Sequence, residues 1–109
     1  MSGGYFDYAE HNIERIADSL KEVIEFNGVE KKPEDLSSWD YNKDGTVRED
    51  CKYYCNYSKE TIEEFKKGYN ILLEAMVYAK RIDYLLSGDD GEDDFFERLE
   101  KELNNLERM

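Results

Sequence analysis

The residues best equipped for chemistry lie near the middle of the chain. Asp40, Asn42 and Asp44 put side-chain oxygens at alternate positions, Gly45 follows, Thr46 offers a backbone carbonyl, and Val47 is aliphatic. This order matches the first eight positions of a twelve-position calcium-binding loop, where oxygen ligands surround a hard cation and glycine makes the sharp bend. Position twelve should be a bidentate Glu but is Cys51, with Glu49 and Asp50 two places and one place early. The stretch before Asp40 also lacks helical spacing. Asp, Asn and Gly are ordinary turn residues as well, so the sequence favours a structural turn over a calcium site. Calcium is the one cofactor the chain raises, with Asp40, Asn42, Asp44 and Thr46 as its ligands.

The other reactive residues are sparse. Cys51 and Cys55 would share a face on a helix, but two thiols are at most half of a structural zinc site, and their close spacing is not a secreted disulfide framework. They read as reduced. His11 is the only histidine and reads as a helix-surface residue. No nucleophile elbow, metalloprotease helix motif or phosphate-binding loop occurs, so the expectation is a protein without catalytic activity. Asp83 falls on the inner stripe of a long helix and needs hydrogen-bond partners there. Tyr hydroxyls, the Trp39 indole, or Arg81 of a neighbouring subunit are the candidates. Tyr5, Tyr8, Tyr69, Arg81, Asp83 and Tyr84 could alternatively frame a pocket for a nucleotide-like molecule, from aromatic faces and one guanidinium. Asp89, Asp90, Glu92, Asp93 and Asp94 form an acidic run that suits either a helix N-terminus or a basic partner.

These groups must be positioned by helices. Residues 58–86 carry the firmest pattern: Ser58 is an N-cap, Glu60, Glu63 and Glu64 complement the positive end of the dipole, and Ser87-Gly88 supplies the stop. Ile62, Phe65, Tyr69, Leu72, Met76, Ala79 and Leu86 form one stripe, and Ile71, Ala75, Tyr78, Ile82 and Leu85 a second. A helix apolar on so many sides is a spine, packed on more than one face. A first helix is predicted over residues 8–27 and a last one over 92–107, with Asp90 as its N-cap. Residues 37–57 have no sustained period and read as an ordered irregular loop pinned by Trp39 and the tyrosines, with room for a short helix over 49–55. Tyr5, Phe6 and Tyr8 are expected to pack across the start of the first helix. The fold class is all-α: one domain over residues 1–109, a small bundle of three main helices around the long central one. Two flanking helices cover such a spine incompletely. Some of Ile71, Leu73, Val77, Tyr78, Ile82 or Leu85 would then remain for a homodimer, unless the segment holding Trp39 folds back as cover.

Composition narrows the partners. The 109 residues include 27 acidic and 15 basic ones, a formal charge of −12. That field disfavours direct binding to nucleic acid or to an anionic membrane and suits a partner with a basic surface. No apolar run approaches the roughly 20 residues needed to span a bilayer, and the N-terminus lacks signal-peptide features, so the expected location is cytoplasmic.

Two motifs add a resemblance. Gly3-Gly4-Tyr5-Phe6-x-Tyr8 with Ile16-Ala17, and Tyr78-Ala79-x-Arg81-Ile82-Asp83-Tyr84-Leu85-Leu86-Ser87-Gly88-Asp89-Asp90-Gly91-Glu92 with Phe95 and Arg98-Leu99, resemble a family of small acidic proteins in phages and prophages. No established activity attaches to that family. The resemblance implies a phage-encoded protein acting in the host cytoplasm, and by analogy an inhibitor that occupies a host protein, such as a defence or nucleic-acid-handling factor, by presenting carboxylates where phosphates would lie.

Overall fold

The computed structural model describes residues 4–109; Gly3, which opens the N-terminal motif, lies outside the described residues. The order is α1 (Glu10–Phe26), three single 3-10 turns (Pro33–Asp35, Ser38–Asp40 and Glu49–Cys51), α2 (Lys59–Leu86) and α3 (Glu92–Asn104). Among the described residues, β-type pairing consists of isolated bridges, Asn27 with Cys55, Glu30 with Tyr53 and Tyr41 with Val47. The chain is all-α.

The spine forms as its sequence dictates. Ser58 accepts from the Thr61 N–H through its hydroxyl at 3.2 Å, closing the first turn of α2. At the other end the Gly88 N–H reaches the Leu85 carbonyl and the Asp89 N–H the Tyr84 carbonyl, with Gly88 at φ +81°. That left-handed residue lets the last carbonyls be satisfied and turns the chain back. α1 and α3 both run antiparallel to α2: Asn27 bonds to Tyr57 at one end of the α1 pair, and Met109 bonds to Asn70 alongside α3. Substantial packing joins α1 to α2 and α2 to α3 only.

The result is drawn out. The Cα trace measures 67 by 27 by 15 Å with a radius of gyration of 20.0 Å, whereas a compact domain of this length has about 13 Å. Among the described residues, the buried apolar side chains are Ala17, Tyr69 and Val77, where α1 and α3 meet the spine. Val77 is therefore interior, contrary to its expected place on an uncovered face: α3 and the start of α1 close over it.

Several local expectations change. Tyr8 sits at φ +60° after Asp7 at +54°, so the first helix starts at Glu10 rather than residue 8. α3 ends at Asn104, because residues 105–109 leave the helix to bind α2 through Arg108 on Glu74 and Met109 on Asn70. The residue that caps α3 is Gly91, not Asp90. The short helix within 49–55 is one 3-10 turn, Glu49–Cys51. Trp39 pins nothing: it is 83 % exposed. The irregular segment closes on itself and on the end of α1, with Phe26 edge-on to Tyr54 and the Cys55 thiol on the Val23 carbonyl, so it leaves the middle of the spine uncovered. Tyr5, Phe6 and Tyr8 stay largely exposed, with Tyr8 stacked on His11 in the first turn of α1 and Tyr5 edge-on to Phe6.

Candidate functional site

The polar centre of the described residues is where Gly4, Tyr5 and Phe6 meet the end of α2. Asp83 is 1 % exposed. Its carboxylate accepts from the backbone N–H groups of Gly4 at 3.0 Å, Tyr5 at 2.6 Å and Phe6 at 3.3 Å, and from the Ser87 hydroxyl at 3.4 Å. Three successive amides cupped round one anion form a nest, which Gly4 at φ +101° helps to shape. Burial pushes the Asp83 carboxyl up, but the amides of Gly4, Phe6 and Tyr5, with the Glu10 side chain, outweigh it and hold the group below its ordinary value. The expected network is present, yet its donors are main-chain amides rather than tyrosine, tryptophan or a neighbour's Arg81. Side-chain spacing carries no sign of such donors.

One turn away lies a second buried cluster. The guanidinium of Arg81 stands 3.5 Å from Asp90, 3.6 Å from Glu102 and 4.5 Å above the Tyr84 ring. Asp90, whose side chain is 2 % exposed, also takes a hydrogen bond from Arg98. Asp90 thus belongs to the interior and is withdrawn from the acidic run expected to face a partner. Its burial follows from the Gly88 turn, which points the next residues back at α2. The two sequence motifs are consequently one structural clasp, with the N-terminal amides on Asp83 and the Asp90 turn on Arg81.

The residues proposed for a ligand pocket are divided. Tyr8 and Tyr84 line a cleft of about 430 Å³ between α1, α2 and α3, shared with His11, Glu14, Met76 and Lys80. Tyr5 faces a separate hollow beside Ile13 and Ala79. Tyr69 is buried twelve positions before Arg81, about 18 Å along the helix. Asp83 is occupied by its amides.

The loop that matches a calcium site is closed by its own hydrogen bonds. Asp44 accepts from the Thr46 hydroxyl at 2.6 Å and its N–H at 3.0 Å, and the Thr46 carbonyl accepts from the Asn42 N–H at 2.7 Å. Asp40 accepts from the Ser37 N–H. The Thr46 donors hold the Asp44 carboxyl below its usual range, and the Ser37 amide, with Cys51, does the same for Asp40. A cation there would have to replace these bonds. Cys51 and Cys55 are both free thiols.

The remaining carboxylates are distributed unevenly. On α2, Glu63 pairs with Lys66, Glu64 with Lys67 and Glu74 with Arg108, while Glu60 in the first turn has no ion pair among the described residues. On α1, Asp18, Glu22 and Glu25 stand exposed at spacings of four and three, and on α3 Asp93, Glu97 and Glu100 repeat that spacing. None of these six is in an ion pair among the described residues; Glu92 and Asp94 are exposed beside the second row. Sequence reading located the start of the α3 row; the ion pairs of α2 and the loop are visible only in the structure. No protein-family model, curated protein or solved structure matches the chain.

Proposed function

We propose that this chain is a non-enzymatic interaction protein that binds a partner through the carboxylate rows of α1 and α3. The observation that carries the reading is the arrangement just described: three carboxylates of the spine have cation partners, whereas six exposed carboxylates on the flanking helices stand without one among the described residues, in two ordered rows. Members of a row are about 4.5–6 Å apart along the helix axis. Such a surface attracts a basic face and, where that face serves nucleic acid, competes with phosphates. Trp39, 83 % exposed in a segment that packs on itself, offers an aromatic anchor of the kind that dominates interface energies. The resemblance to phage and prophage proteins supports a bacterial host protein as the target and the host cytoplasm as the place of action. Among the described residues, no helix is long and apolar enough to cross a membrane.

Affinity capture from bacterial lysate tests this. Wild type should retain a basic protein that Asp93→Asn/Glu97→Gln/Glu100→Gln releases, with Trp39→Ala retaining less. Recovery of nothing but the bait, or equal recovery by the neutralised variant, would overturn it.

A second reading rests on the cleft, whose volume of about 430 Å³ falls within the range of small-molecule sites. A ligand-sequestering module would show a rise in melting temperature with one class of nucleotide-like compound, lost in Tyr84→Ala. A flat screen removes it.

A further inference from the structure

We infer that the uncovered face of α2 pairs with the same face of a second copy of this chain. Ile71 is 65 % exposed and Tyr78 45 %, and Ala75, Ile82 and Leu85 between and beyond them are partly exposed. Their spacings are four, three, four and three, the alternation of a coiled-coil seam, sustained over about 21 Å of helix. Neither α1 nor α3 closes over this stripe, and the irregular segment lies at the far end of α2 on α1.

Surface area is sufficient for a second copy. A compact monomer of 12.9 kDa exposes about 6,300 Å², whereas this chain exposes 8014 Å². The excess, about 1,700 Å², exceeds the roughly 800 Å² each partner contributes to a standard stable interface and falls within the range of obligate homodimers. The buried core is correspondingly thin, with three buried apolar residues among those described. A self-complementary apolar stripe on a helix is closed most economically by a twofold axis. The acidic rows lie on the flanking helices rather than on the stripe. Pairing therefore leaves them available, while the −12 charge of each copy opposes association through the longer-range field.

The test is sedimentation equilibrium on wild type, Ile71→Glu and Phe96→Glu from about 1 to 100 µM, at low and moderate salt. Phe96 is equally exposed but lies on α3, so Phe96→Glu controls for added charge. Wild type should have twice the chain mass and associate more tightly as salt rises. Ile71→Glu should weaken the dimer by about a hundredfold or more while keeping its helical circular dichroism. Phe96→Glu should stay dimeric. A monomeric wild type across the range, a mass above two chains, or a dimer split by Phe96→Glu and not by Ile71→Glu would each overturn the inference.

Discussion

Replacing Arg81 by Met tests whether the clasp holds the fold together. The side chains of Arg81 and Asp90 are 8 % and 2 % exposed. Met keeps most of the aliphatic volume and removes the charge, so the loss reads electrostatics rather than a cavity. Taking one partner from a buried ion pair costs about 3–5 kcal/mol, because the other charge stays desolvated. Here Asp90 keeps Arg98, which is half exposed, and Glu102 can turn to solvent. The expected loss is therefore about 2–4 kcal/mol, a large fraction of the roughly 5–15 kcal/mol available to a domain. In melting temperature it amounts to about 10–20 °C. Urea denaturation followed by circular dichroism, at one fixed chain concentration so that association does not enter, measures it. The pair Arg81→Met/Asp90→Leu should lose less than the sum of its two single variants, by about 1–3 kcal/mol, since neither charge is then left behind. A loss below about 1 kcal/mol for Arg81→Met, or strict additivity in the cycle, would refute the buried-pair argument.

Two further outcomes are expected. Because the Asp83 carboxyl is held below its unfolded value by the Gly4, Tyr5 and Phe6 amides, its contribution to stability is present above that unfolded value and is lost as pH falls through the folded one; Asp83→Asn should flatten this acid limb and speed amide exchange at residues 4–6, and an unchanged limb would contradict the clasp. Calorimetric titration of wild type with calcium should show no binding tighter than about 1 mM, since Asp44 and the Thr46 carbonyl already have donors; heat of binding in the micromolar range would show that the loop reorganises around a cation.

The helices were legible because each is written in a local code. Ser58 and Gly88 bracket α2, and its apolar spacing and that of Leu99 and Leu103 announce which faces turn inward. Asp83 could be placed in the interior from that spacing alone. Its partners could not, because main-chain amides carry no residue signature and the turn of residues 4–8 depends on left-handed backbone at Asp7 and Tyr8, which sequence statistics disfavour. Asp90 was misassigned for a related reason: an Asp before a helix ordinarily caps it, and only the turn at Gly88 aims this one at Arg81 instead. Trp39 was expected inside from its chemistry, but residues 37–51 satisfy their polar groups among themselves and supply no apolar wall for an indole. Of the acidic surface, the run at the start of α3 was visible in the sequence. The outward carboxylates of α1 follow from helical spacing as well, whereas the ion pairs on α2 are not written in the sequence.

The most direct test of the acidic-surface account is the salt dependence of affinity between the captured partner and two forms of the chain, wild type and Asp93→Asn/Glu97→Gln/Glu100→Gln. The account predicts that wild-type affinity falls steeply as salt rises and that the neutralised form binds more weakly with a shallower slope. An affinity indifferent to salt, or equal in the two forms, would contradict it.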